Sequence, residues 1–151
     1  LGTTIAVAGS RAAFRAVDHD AVLAFARAAQ AAGASRFLAV TAVGADPAAG
    51  VFYARVKGEV ETALAGLGFA RLDLLQPGLL LGPRAERRPV EALLQRLAPV
   101  LNLLLVGPLD RYGGIEADQV AAAIVALLGR DAAGVHRHEN AALRALATGA
   151  P

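Results

Sequence analysis

The chain has 151 residues, a length that suits one domain, and 56% of them are hydrophobic, enough for a core. Aromatics are 5% and charged residues 19%, so small-residue helix faces supply that core and the composition is that of a folded chain. The net charge of +2 comes from scattered arginines, with one local cluster at Arg84, Arg87 and Arg88, so the basic stripe of a nucleic-acid binder is missing.

Cysteine is absent, which excludes disulfides and thiolate chemistry. His136 and His138 have no further ligand spaced to complete a metal site, and they read as alternating residues of a late strand. No run reaches the ~18 apolar residues of a membrane span. No basic-then-apolar leader opens the sequence, so the expected location is cytoplasmic, with no membrane partner.

In chain order, residues 18–32 carry a helical period, with Val22, Leu23, Phe25, Ala26 and Ala29 expected on one face. Gly33 stands where a glycine ends a helix. Residues 36–41 read as a buried strand, 44–47 as a loop and 51–67 as the next helix. Residues 70–75 alternate like a strand, which Pro77-Gly78 should break. Pro89 suits the first turn of a helix to about Ala98, and 103–106 a short extended segment. A helix over 118–128, a strand over 135–137 and a helix over 140–147 complete the chain. Helices alternating with apolar strands over short links predict an α/β fold, a parallel sheet flanked by helices.

The informative segment is Val51-Phe52-Tyr53-Ala54-Arg55-Val56-Lys57-Gly58-Glu59. On a helix, Tyr53 and Lys57 lie one turn apart on the same side. A lysine ammonium beside a tyrosine favours the phenolate and lowers its pKa from about 10. Such a tyrosine exchanges a proton with a substrate oxygen, and the lysine keeps donors for a ribose hydroxyl. The same spacing also occurs in surface packing pairs. Thr41 ends the preceding strand, where sites form in parallel sheets, or it is simply a β-branched residue closing that strand. Pro77-Gly78 makes a turn with no bulky Cβ, open to a flat ligand or merely tight. Leu93, Leu94, Leu97 and Leu101 would form either an apolar wall or a core stripe.

Several segments occur together in one order: Leu1-Gly2-Thr3-Thr4, Val17-Asp18, Arg36-Phe37-Leu38, Gly44-Ala45-Asp46, Tyr53 with Val56-Lys57-Gly58-Glu59-Val60-Glu61, Pro77-Gly78-Leu79-Leu80-Leu81 and Glu86-Arg87-Arg88-Pro89. They resemble the atypical short-chain dehydrogenases, the NAD(P)H-binding NmrA-like and Tat-interacting-oxidoreductase-like group. The resemblance implies a Rossmann-type NAD(P)H-binding oxidoreductase that moves a hydride at a carbonyl or hydroxyl. It implies Thr41, Tyr53 and Lys57 as catalytic residues, with Thr41 in place of the usual serine. It implies Leu1, Gly2, Tyr53, Lys57, Pro77, Gly78, Leu80 and Arg88 as cofactor contacts, and NADP(H) or NAD(H) as cofactor. An NADPH-sensing regulator and a nucleotide-sugar epimerase are the alternatives on the same scaffold. The partners implied are an unidentified small-molecule substrate and a second copy in a homodimer. The family's glycine-rich phosphate turn has no counterpart here. Residues 1–151 are therefore expected to be one partial domain with weak cofactor affinity and an exposed sheet edge.

Overall fold

A computed structural model describes residues 2–81 and 107–149. The expected Pro89 helix, the 103–106 segment, the leucines at 93–101 and the Arg84–Arg88 cluster lie outside the described residues, as do Leu1 and Arg88. The architecture is mixed α/β, with a small parallel sheet flanked by helices. Two compact units are distinguished: Leu1–Leu74 with Asp131–His136, and Leu75–Arg130 with Arg137–Pro151.

The first unit opens with a short helix, α1 (Ile5–Ala8), capped by the Thr4 hydroxyl, which accepts from Val7 N at 3.3 Å. Gly9, at φ +79°, closes it in the left-handed region. The Ser10 side chain then accepts from Ala13 N at 3.0 Å and starts α2 (Arg11–Arg15). The helix continues through a π-helical segment (Ala16–Ala21) into α3 (Val22–Ala31). It thus begins well before residue 18, because Ser10 is a cap and not a loop residue. Leu23 and Ala26 enter the core, whereas Phe25, expected beside them, is 60% exposed.

Gly33, at φ +90°, follows the helix as expected and leads into β1 (Arg36–Val40). Helix α4 (Phe52–Ala65) and strand β2 (Arg71–Gln76) come next. Arg71 N donates to Ser35 O and Gly134 N to Ala70 O, so the strands β1, β2 and β5 (Gly134–Glu139) start side by side, in the order β1-β2-β5. Leu23, Ala26, Ala39, Val60, Leu64, Phe69, Leu72 and Leu74 form one buried cluster. Burying a side chain of this size contributes about 1.5–3 kcal/mol.

Pro77-Gly78 ends β2 at Gln76, as expected, and a separate extended run follows it in the second unit. Leu79–Leu81 forms β3, which pairs in parallel with β4 (Gly114–Glu116), Leu80 lying opposite Ile115. A three-residue strand has no period to detect. A 3-10 segment (Gly107–Tyr112) precedes β4. Helix α5 (Ala117–Leu128) starts with a capping box between Glu116 and Gln119 and packs on α6 (Asn140–Thr148). Val120, Ala123, Leu127 and Leu143 are buried.

Candidate functional site: a buried Lys57–Asp18 pair in an apolar cavity

Helix α4 places Tyr53 and Lys57 one turn apart, but they meet different surroundings. Lys57 turns inward, and its Nζ lies 2.6 Å from Asp18 Oδ1. The two side chains are 9% and 1% exposed. Asp18 comes from the π-helical segment, and its Oδ2 also accepts from Thr3 N at 2.7 Å. The widened turns of π segments recur at functional sites, and here one sets a carboxylate against a lysine 39 positions away. Both residues line a cavity of about 450 Å³ within the first unit. Thr41 joins them there, and Val22, Phe25, Phe37 and Val40 supply apolar wall.

Tyr53 does not line that cavity. Its ring lies 5.9 Å from Phe14 and 5.7 Å from Lys57 Nζ, and the residue is 40% exposed. The expected lowering of its pKa is reversed: burial pushes it up, and the negative charge of Asp18 pushes it further. The lysine charge that should favour the phenolate is spent on Asp18. Tyr53 is therefore a neutral phenol at pH 7.

Thr41 is buried at the end of β1, and its hydroxyl donates to Glu61 Oε1 at 2.6 Å. That proton points at a carboxylate of α4. Glu61 is four residues after Lys57, a spacing that suggests a helix ion pair, yet it serves Thr41 instead. Between them on the helix, Gly58 lets the 44–47 loop sit down: a Cβ there would lie 2.2 Å from Asp46 C and 2.3 Å from Pro47 N.

The other expected contacts distribute as follows. Gly2 is exposed, and a Cβ on it would lie 3.7 Å from Asp18 Oδ1. Pro77, Gly78 and Leu80 belong to the second unit. Gly78 does need a bare backbone, but its own chain takes the space: a Cβ would lie 2.3 Å from Gly113 O and 2.8 Å from Arg111 O. Gly78 N donates to Asn140 Oδ1 at 2.9 Å, and Asn140 Nδ2 donates to Asp110 O and Gly113 O. The Cβ side of Gly78 is thus packed by its own chain. Leu1 and Arg88 lie outside the described residues.

Asp18, Glu61 and Asn140 are the polar residues sequence reasoning missed. Asp18 and Glu61 had a signal, in that both stood among the recurring segments, but Asp18 read as a helix start and Glu61 was given no role. Among the described residues no three His, Asp or Glu come together as a metal site, and no helix is long and apolar enough to cross a membrane.

Fold and site together define a mixed α/β protein with a charged pair buried in an apolar cavity. No family model matches the chain. It is 38% identical over 125 residues to "Protein FMP52, mitochondrial" of Coccidioides immitis, covering 83% of this chain and 51% of that protein. It is 42% identical over 102 residues to the protein of that name in Emericella nidulans, covering 68% and 44%. It is 38% identical over 125 residues to "Protein FMP52-1, mitochondrial" of Scheffersomyces stipitis, covering 80% and 54%. The chain spans about half the length of the curated relatives it matches.

These relatives correct three expectations. Their names mark them as FMP52 mitochondrial proteins and mention no dehydrogenase, and no family model supports one. The assignment to the short-chain dehydrogenase group is withdrawn on that finding. The oxidoreductase function falls with it, as do the sensor and epimerase readings built on the same resemblance. The cytoplasmic location is likewise overturned, since the matched relatives are named mitochondrial.

Proposed function

We propose that this chain contributes a small-molecule binding site in which Lys57 is the group that meets the ligand. The observation that carries the reading is a lysine buried at a cavity with donors to spare. An ammonium has three donors, and one goes to Asp18 at 2.6 Å. Taking two charges out of water costs several kcal/mol per ion, and apolar replacements are often no less stable. A desolvated charged pair lining a cleft is a functional-site signature as well as a structural device.

The cavity suits a ligand with a flat apolar body and a hydroxyl or carbonyl for Lys57. Val22, Phe25 and Phe37 provide the apolar wall. NADP(H) or NAD(H) is the cofactor we propose, held at its ribose and nicotinamide end. The sequence has no glycine-rich phosphate turn, so affinity from this chain alone is weak, roughly millimolar or about −4 kcal/mol. No hydride step is assigned. For the whole protein we propose the mitochondrial location that the relatives' names carry, together with a homodimer and a small-molecule substrate.

The experiment titrates NADPH and NADH into the chain, followed by saturation of amide NMR shifts. Lys57→Gln should abolish saturation. Val40→Trp should also abolish it by filling the cavity while leaving the ion pair intact, which separates ligand loss from misfolding. Unchanged affinity in both variants, or no saturable shift in the wild type, overturns the proposal.

A further inference from the structure

Thr41 and Lys57 both line the cavity of the first unit, and each makes a bond that decides what it can offer a ligand. A hydroxyl holds one donor and two acceptor lone pairs. The Thr41 donor is spent, since its Oγ1 donates to Glu61 Oε1 at 2.6 Å, the length of an O–H bond to a carboxylate. Glu61 is 3% exposed and is not among the cavity's wall residues, so that proton points into the protein. Thr41 therefore meets a ligand as an acceptor. Lys57, whose ammonium carries three donors and no acceptor, meets it as a donor.

The hydroxyl is held in this state from several sides. Threonine is stiff at χ1. The loop after it is fastened to α4, where Asp46 N donates to Ala54 O at 3.2 Å and Gly58 leaves room for Asp46 and Pro47. Glu61 stands on α4 one turn after Lys57, so a single helix places the lysine and the partner of the hydroxyl.

We infer that the cavity selects a neutral ligand by a hydroxyl group, which accepts from Lys57 and donates to Thr41, and that Glu61 is the positioning residue that sets this choice. This rests on the ligand reading above and narrows it: of a hydroxyl and a carbonyl, only the hydroxyl satisfies both residues. The ribose hydroxyls of the proposed dinucleotide belong to this class. A ketone oxygen would face the Thr41 lone pairs with no proton between them, and a buried acceptor does not recover that loss. A carboxylate head would meet two carboxylates, Asp18 and Glu61, against one ammonium.

The test follows amide NMR shifts of the 151-residue chain with three matched probes: 1-phenylethanol, acetophenone and 1-methoxy-1-phenylethane. All three keep a flat ring and an oxygen that accepts from Lys57, and only the alcohol has a proton for Thr41. The wild type should bind the alcohol about tenfold more tightly than the ketone or the ether. Thr41→Val keeps the shape and should level the three, whereas Thr41→Ser should keep the preference. Glu61→Gln should level alcohol and ketone, because its amide can donate to Thr41 and release that proton to the ketone. Lys57→Gln should weaken all three. Equal affinity for alcohol and ketone in the wild type, or a preference that survives Thr41→Val or Glu61→Gln, overturns the inference and leaves the Lys57 site in place. Saturation by NADPH with none by the alcohol does the same. Saturation by none of these compounds, or Lys57→Gln without effect on any, overturns both.

Discussion

Asp18→Asn removes one charge of the buried pair and keeps the shape. The amide still offers an oxygen to Thr3 N, so the main loss is the partner of Lys57. With side-chain exposures of 9% and 1%, the pair lies in the regime where deleting one partner costs about 3–5 kcal/mol. The exposed pair Arg15–Glu59, at 42% and 30%, gives the contrast: Arg15→Ala should cost under about 1 kcal/mol. Urea unfolding followed by circular dichroism reads both. With a slope of about 2 kcal/mol per M, Asp18→Asn should lower the midpoint by roughly 1.5–2.5 M. Adding Lys57→Met should restore most of the loss, because the stranded charge is gone. Equal small losses in Asp18→Asn and Arg15→Ala would refute the buried pair.

Tyr53 gives a pH dependence. Its folded pKa lies above the unfolded 10.0, so its contribution to stability is fully present below pH 10.0 and is lost as pH rises through the folded value. Urea unfolding between about pH 8 and 11 should show that fall in the wild type and a flatter curve in Tyr53→Phe. Subtracting the Tyr53→Phe phenolate absorbance from the wild type should give a midpoint above 10.0, and Asp18→Asn should bring it down by removing the charge cause. Gly58→Ala gains about 1 kcal/mol of helix propensity but forces a methyl onto the 44–47 backbone. A net loss of about 1–2 kcal/mol should lower Tm by roughly 3–8 °C, and a raised Tm would mean the loop is not seated there. Asn140→Ala strands Gly78 N and two carbonyls, so a loss near 3 kcal/mol is expected, with faster exchange of the Gly78 amide.

The elements that were legible in sequence are those with a period and a punctuation mark. Gly33 marked the end of α3, and α4, α5 and the strands β1 and β2 lie where their apolar residues placed them. The π-helical segment was not legible, because its extra residue shifts phase without changing composition. Phe25 was placed inward with Leu23 and Ala26, but two residues along α3 turn it about 200° from Leu23, and it is exposed. Strands β3 and β4 were too short to carry alternation. For the site, the Tyr53/Lys57 spacing was correctly seen as one turn, but what each side chain meets is decided across the fold. Asp18 takes Lys57, Glu61 takes Thr41, and Gly113 fills the gap that Gly78 leaves. A sequence announces that a glycine must be bare, not whether ligand or backbone fills the space.

The central claim is that the cavity holding Lys57 and Asp18 binds a small molecule. Its most direct test is a map of amide shifts in the chain as NADPH is added to about 10 mM, several times the expected dissociation constant. The account predicts saturable shifts concentrated at Asp18, Val22, Phe37, Thr41 and Lys57, with residues 114–128 and 140–148 unmoved. Shifts spread over exposed arginines without saturation, or confined to residues 77–81 and 107–116, would contradict it.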